Sequence, residues 1–199
     1  MKQIIIIILL ASLNILVYSQ DYFIGVESGY GISSSRIEYS WYGSSIKPLA
    51  ENCGKAGVTG KVIFENNLGM GFGINYLFIQ SPDKIQNTGY SMTPELNEPR
   101  YLSNKHHYLN IPILCSYSIQ YFRIEAGLYY SFLLVQKADM SVKSSDAGFL
   151  FKLNFDIYKG LYFYQETSFG LVNIVNLDNF SKKNYYLMLG LGYNLNLGN

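Results

Sequence analysis

Cysteine is scarce: Cys53 and Cys115 are the two in 199 residues, so no disulfide framework holds this chain together. Tryptophan occurs once and proline five times. Three of those prolines, Pro82, Pro94 and Pro99, fall in one polar stretch. An excess of either charge is also missing, with 15 basic against 14 acidic residues, and that balance excludes the basic footprint of a nucleic-acid-binding protein. Long apolar runs are missing too. The one candidate, Ile4 to Leu13, is short of the roughly 20 residues that a helical span needs. That excludes a helical membrane protein, although nearly half the chain (49%) is hydrophobic.

The apolar content is arranged in alternation instead. Lys2, the run Ile4 to Leu13 and then Val17-Tyr18-Ser19 read as a signal peptide over residues 1–19. Cleavage after Ser19 removes Lys2 and leaves 14 basic and 14 acidic residues in a mature domain of residues 20–199. No cysteine stands at the cleavage position, so a lipoprotein is not expected.

The clearest alternation spans Tyr108 to Leu134. Leu109, Ile111, Ile113, Cys115 and Tyr117 share one face. After a turn at Ser118-Ile119-Gln120, Phe122, Ile124, Ala126, Leu128, Tyr130, Phe132 and Leu134 share one face as well. The opposite faces carry Asn110, Arg123, Glu125 and Gly127 among tyrosines. Strands of this length, wholly uncharged on one side, suit the wall of a transmembrane barrel.

Eight strands follow from the same pattern: 20–32, 57–66, 70–81, 108–117, 121–134, 148–158, 161–172 and 185–197. Short connections at 66–69, 118–120 and 158–160 alternate with long ones at 33–56, 82–105, 137–147 and 173–184. An up-and-down outer-membrane barrel has this asymmetry. The fold predicted is therefore all-β, an eight-stranded antiparallel transmembrane barrel in the outer membrane. Charges provide an independent check on register. Glu27, Lys61, Glu65, Arg123, Glu125, Lys152, Asp156 and Glu166 all fall on the faces opposite the apolar ones.

Five inward carboxylates (Glu27, Glu65, Glu125, Asp156, Glu166) against three inward bases (Lys61, Arg123, Lys152) suggest a paired network filling a narrow lumen rather than acid–base catalysis. Tyr108, Tyr121, Tyr129, Tyr162, Tyr164 and Tyr186, beside inward glycines, complete the expected filling. His106 and His107 are adjacent on a strand and so point to opposite faces, which works against a shared metal ion. No catalytic, cofactor or metal site is predicted. The glycine-rich pieces at 69–73 and 190–194 lack the following helix and Lys-Ser/Thr pair of a phosphate-binding loop.

The segments Tyr-Leu-Asn-Ile-Pro-Ile-Leu (108–114) and Ile-Glu-Ala-Gly-Leu-Tyr-Tyr (124–130) resemble the paired signatures of PorT-family outer-membrane proteins of Bacteroidetes. Gly170 to Ile174 and Leu189 to Leu195 resemble later strands of that family. Asn110 stands where a glutamate is usual and Leu128 where a proline is usual. The resemblance implies an accessory role in protein secretion across the outer membrane, and with no rim nucleophile beside a base in the sequence a porin-like, non-enzymatic envelope barrel is expected. The expected partners are outer-membrane lipid and, through loops 33–56 and 82–105, envelope or secretion-system proteins; nucleic acid is not one. The alternatives are a small channel, a rim-active membrane enzyme, and a secreted lipocalin-like barrel with an apolar ligand cavity.

Overall fold

The computed structural model describes residues 19–39, 45–46, 50–64, 66–85, 100–137, 143–174 and 180–197. They form β1 (Ser19–Tyr39), β2 (Ser45–Ile46), β3 (Glu51–Phe64), β4 (Leu68–Ile85), β5 (Arg100–Ile119), β6 (Phe122–Lys137), β7 (Ser145–Tyr158), β8 (Leu161–Gly170) and β9 (Phe180–Asn196). No described residue is helical. Each long strand pairs antiparallel with its neighbour, and β1 pairs with β9 from Phe23↔Asn196 to Tyr39↔Phe180. The result is a closed, eight-stranded up-and-down barrel, with β2 added at the end of β1.

Each short turn holds at least one residue in left-handed backbone. Asn67 has φ 63°, and its N–H bonds Phe64 O at 3.0 Å. Gln120 (φ 49°) turns β5 into β6, and Lys159 (φ 42°) with Gly160 (φ 89°) turns β7 into β8. Two positive φ angles in a two-residue loop match the twist of the flanking strands. These three turns and the barrel's two chain ends share one end, here the turn end. The longer connections leave their strands at the opposite, open end.

Alternation sorts the wall cleanly. Outward lie Tyr22 to Ile32 on β1, Met70 to Tyr76 on β4, Phe122 to Leu134 on β6 and Leu187 to Leu195 on β9, with large side chains 37–61% exposed. The runs cover seven to thirteen residues, around the ~9–11 that a tilted strand needs to cross hydrocarbon. Within these runs no described charged residue faces outward; Glu27, Arg123 and Glu125 are buried on the inner face. Tyrosines mark both ends of the belt. Tyr22, Tyr117, Tyr158 and Tyr193 lie toward the turn end, and Tyr30, Tyr76 and Tyr130 lie about ten residues up their strands.

The strands outrun the sequence pattern at the open end. The predicted loop 33–56 is strand up to Tyr39 and again from Glu51, and the loop 82–105 is strand up to Ile85 and again from Arg100. Pro82 lies inside β4, where β3 has already ended at the Cys53↔Ile79 pair and β5 is the one neighbour. A missing N–H is tolerated on such a free edge. Likewise the connector 137–147 gives way to β7 from Ser145, and 173–184 to β9 from Phe180. Leader residues 1–18 and the inward candidate Glu65 lie outside the described residues.

Candidate functional site

The inward faces converge on a network of ion pairs. Glu27 of β1 binds Lys152 of β7 in close contact, Lys55 of β3 at 3.3 Å and Lys61 of β3 at 3.8 Å. Tyr162 OH donates to Glu27 at 2.7 Å. Glu125 of β6 faces Lys61 at 3.3 Å and Lys152 at 3.7 Å, and accepts from Arg123 Nε at 2.8 Å. Glu166 of β8 holds Lys55 in close contact and accepts from Tyr186 OH at 3.1 Å. All seven charged side chains are at most 6% exposed.

Two tyrosines sit among the cations. Lys61 lies 4.6 Å from the Tyr162 ring centroid and Lys152 4.4 Å from that of Tyr164. A cation above an aromatic face is stabilised further when water is excluded. Inward glycines make room for these rings: a Cβ on Gly192 or Gly190 would overlap Tyr162 or Tyr164. The lumen is thus filled at this level by side chains that neutralise one another.

Several predicted positions hold and others move. Glu27, Lys61, Arg123, Glu125, Lys152 and Glu166 are inward as alternation requires, and Glu125 stands opposite Lys152 in the ladder. Asp156 does not join the buried set. It sits at the turn end with its side chain 42% exposed, 3.9 Å from Arg123 Nη1, where a register shift loosens the ladder. Tyr121 is 70% exposed, because it belongs to the β5–β6 turn. Lys55, assigned to a loop by composition, is a central cation, and Cys53 beside it is a buried strand residue. Within this network, three carboxylates therefore meet four cations, with Asp156 at the rim.

Toward the open end the filling changes character. Cys53, Leu77, Ile79, Tyr108, Tyr186 and Met188 form one cluster, and Leu114, Tyr129 and Leu150 another. Asp146, 2% exposed, accepts from Asn184 Nδ2 at 3.0 Å and Tyr129 OH at 3.4 Å. Ile174, fully buried, follows β8 and is tied to the backbone of Lys182 and Lys143.

The two histidines separate as adjacent strand residues must. His106 is buried inside, while His107 faces out and its Nδ1 meets Tyr76 OH at 2.5 Å. Among the described residues, no group of three or more His, Cys, Asp or Glu side chains is placed to hold a metal ion. Cys53 is buried and Cys115 exposed on the outer face, and both are free thiols.

The chain matches no known family model and no curated protein sequence. Solved structures are similar to it. The outer membrane protein OprG from Pseudomonas aeruginosa is 14% identical over 89% of this chain and 97% of its own, with a TM-score of 0.53. Neisserial surface protein A is 8% identical over 86% of this chain and 96% of its own, TM-score 0.49. Ail, the attachment invasion locus protein of Yersinia pestis, solved with the heparin analogue sucrose octasulfate, is 12% identical over 88% and 99%, TM-score 0.47.

Proposed function

We propose that this chain is a non-enzymatic outer-membrane barrel, exported by its N-terminal leader, that serves as a structural and binding component of the cell envelope. The polarity of the barrel carries this reading. Buried ion pairs fill the inside while an apolar band two tyrosine rings deep covers the outside, which is the reverse of a lipocalin-like ligand carrier. The likeness of fold to OprG accords with it.

A lumen packed with paired charges and tyrosines leaves little room for an ion path, so the barrel acts through its wall and its open end. An accessory role in protein secretion is a narrower form of this proposal, and it rests on the signatures at 108–114 and 124–130. Two measurements test the main reading. Cell fractionation should return the protein with outer membranes, and recovery from soluble periplasm without detergent overturns the proposal. In planar bilayers the reconstituted barrel should show no regular conductance steps, whereas stable open-channel steps would mark it as a channel.

A further inference from the structure

One buried carboxylate stands apart from the ion-pair network. Near the open end, Asn110 of β5 pairs with Ser131 of β6, and Ser131 with Asp146 of β7, in one row of the ladder. Asn184 of β9 reaches the same carboxylate through its Nδ2, and Tyr129 OH reaches it across Gly148. Both bonds end on one oxygen, Asp146 Oδ2. A carboxylate only accepts, so Asn184 must offer it the amide nitrogen and is left with its own Oδ1. Tyr108 of β5 faces both Asp146 and Asn184.

Among the described residues, Asp146 Oδ1, Asn184 Oδ1, Tyr108 OH and Asn110 Oδ1 make no hydrogen bond, and all four residues are at most 2% exposed. Buried oxygens are costly unless something positive meets them. Glu27, Glu125 and Glu166 each hold a lysine, but among the described residues no cationic side chain is in ion-pair contact with Asp146. The set is thus oxygen alone, drawn from three strands, with a single negative charge. It matches a singly charged metal ion that accepts carboxylate, amide and hydroxyl oxygens in place of its water shell. A doubly charged ion would leave one charge unbalanced in a dry interior. Calcium sites also gather several acidic ligands, which the described residues do not. Asp146 lies two residues from exposed Ser144, so a small ion has a short way in.

We propose that Asp146, Asn184, Tyr108 and Asn110 bind one alkali-metal cation just inside the open end. Asp146 Oδ1 supplies the charge and the neutral oxygens complete the shell. The ion ties β5, β7 and β9 together where the long connections begin, and so braces this end of the barrel as the ion pairs brace its middle.

The full chain, folded in detergent micelles in choline chloride, tests this. Choline is too bulky for such a site, so sodium or potassium can replace it at constant ionic strength. The temperature at which heat-modifiable migration is lost should rise with alkali-metal concentration and then level off. Calcium should raise it less. Asp146→Asn keeps the shape and removes the charge; it should be at least as stable as the parent in choline and show no rise. Tyr108→Phe should need about tenfold more cation for the same rise, from the loss of one oxygen contact. A flat parent curve in both sodium and potassium overturns the proposal, since Asp146 would then be protonated or hydrated. A rise that survives in Asp146→Asn overturns it by placing the ion elsewhere, and a larger rise with calcium overturns the choice of ion. Lower stability of Asp146→Asn in choline also counts against it, because the carboxylate would then be structural. If Asp146→Asn does not fold, Tyr108→Phe decides, and an unchanged cation demand there overturns the proposal.

Discussion

The two ends of the lumen are filled by different chemistry. From the turn end to the middle, the large inward groups include six that are charges or a tyrosine bonded to one: Glu27, Lys61, Arg123, Glu125, Lys152 and Tyr162. Toward the open end, Cys53, Leu77, Ile79, Tyr108 and Met188 pack as a small apolar core, and the carboxylate of Asp146 is held by neutral donors. The first region depends on pairing, so losing a single partner leaves a charge uncompensated where water cannot reach it. The second depends on volume, so losing a side chain leaves a void. Barrels can be closed by either means, and this one uses both in series.

The sharpest way to break that contrast is at Glu27, which takes contacts from three lysines. Glu27→Gln should lower stability by about 3–5 kcal/mol, read as a drop in the urea midpoint for unfolding from vesicles; an unchanged midpoint would sink the paired-charge account. Arg123→Ala should cost about 3 kcal/mol, less than Glu27 because Glu125 retains Lys61 and Lys152. It should also bring forward the temperature at which heat-modifiable migration is lost.

In the apolar region, Met188→Ala should cost about 2–3 kcal/mol through a cavity. Its deficit should be recovered by Met188→Leu, a rescue that no substitution of similar size offers at Glu27. On the outer wall, His107→Ala removes the contact to Tyr76 and should cost about 1 kcal/mol, seen as a small midpoint shift. Ile124→Leu should change stability by less than about 0.5 kcal/mol. A large effect there would mean that Ile124 packs against protein rather than lipid.

Much of this was legible in the sequence because the wall is a period-two object. Strict alternation from Tyr108 to Leu134 gave both faces of β5 and β6, and the charges confirmed the register of β1, β7 and β8. The missed half of β3 shows where such reading fails. Its outward residues Gly54 and Ala56 are small, and the ring of Phe78 lies over Gly54. The apolar side of the alternation is therefore supplied by the neighbouring strand, and the segment looks like a Ser/Gly loop. Lys55 and Cys53 went unseen for that reason. Asp156 erred the other way: parity placed it inside, but its nearness to the turn at Lys159-Gly160 leaves it at the wet rim.

The seam between β1 and β9 has a consequence for assembly order. It joins the first and last barrel strands, and one of its contacts, Asn196 Nδ2 to Asp21 Oδ1, links residues 175 positions apart. Hairpins made by the tight turns can form early, but this seam can zip only after the whole chain has emerged. The ion pairs obey the same schedule. Glu27 reaches across to Lys152, Lys61 to Glu125, and Lys55 to Glu166, so each crossing joins the first two long strands to the second half of the barrel. Until the seam shuts, these charges have no reason to leave water. Closure and neutralisation thus become one event, and an unfinished barrel keeps a hydrated, charged interior that resists burial in the bilayer.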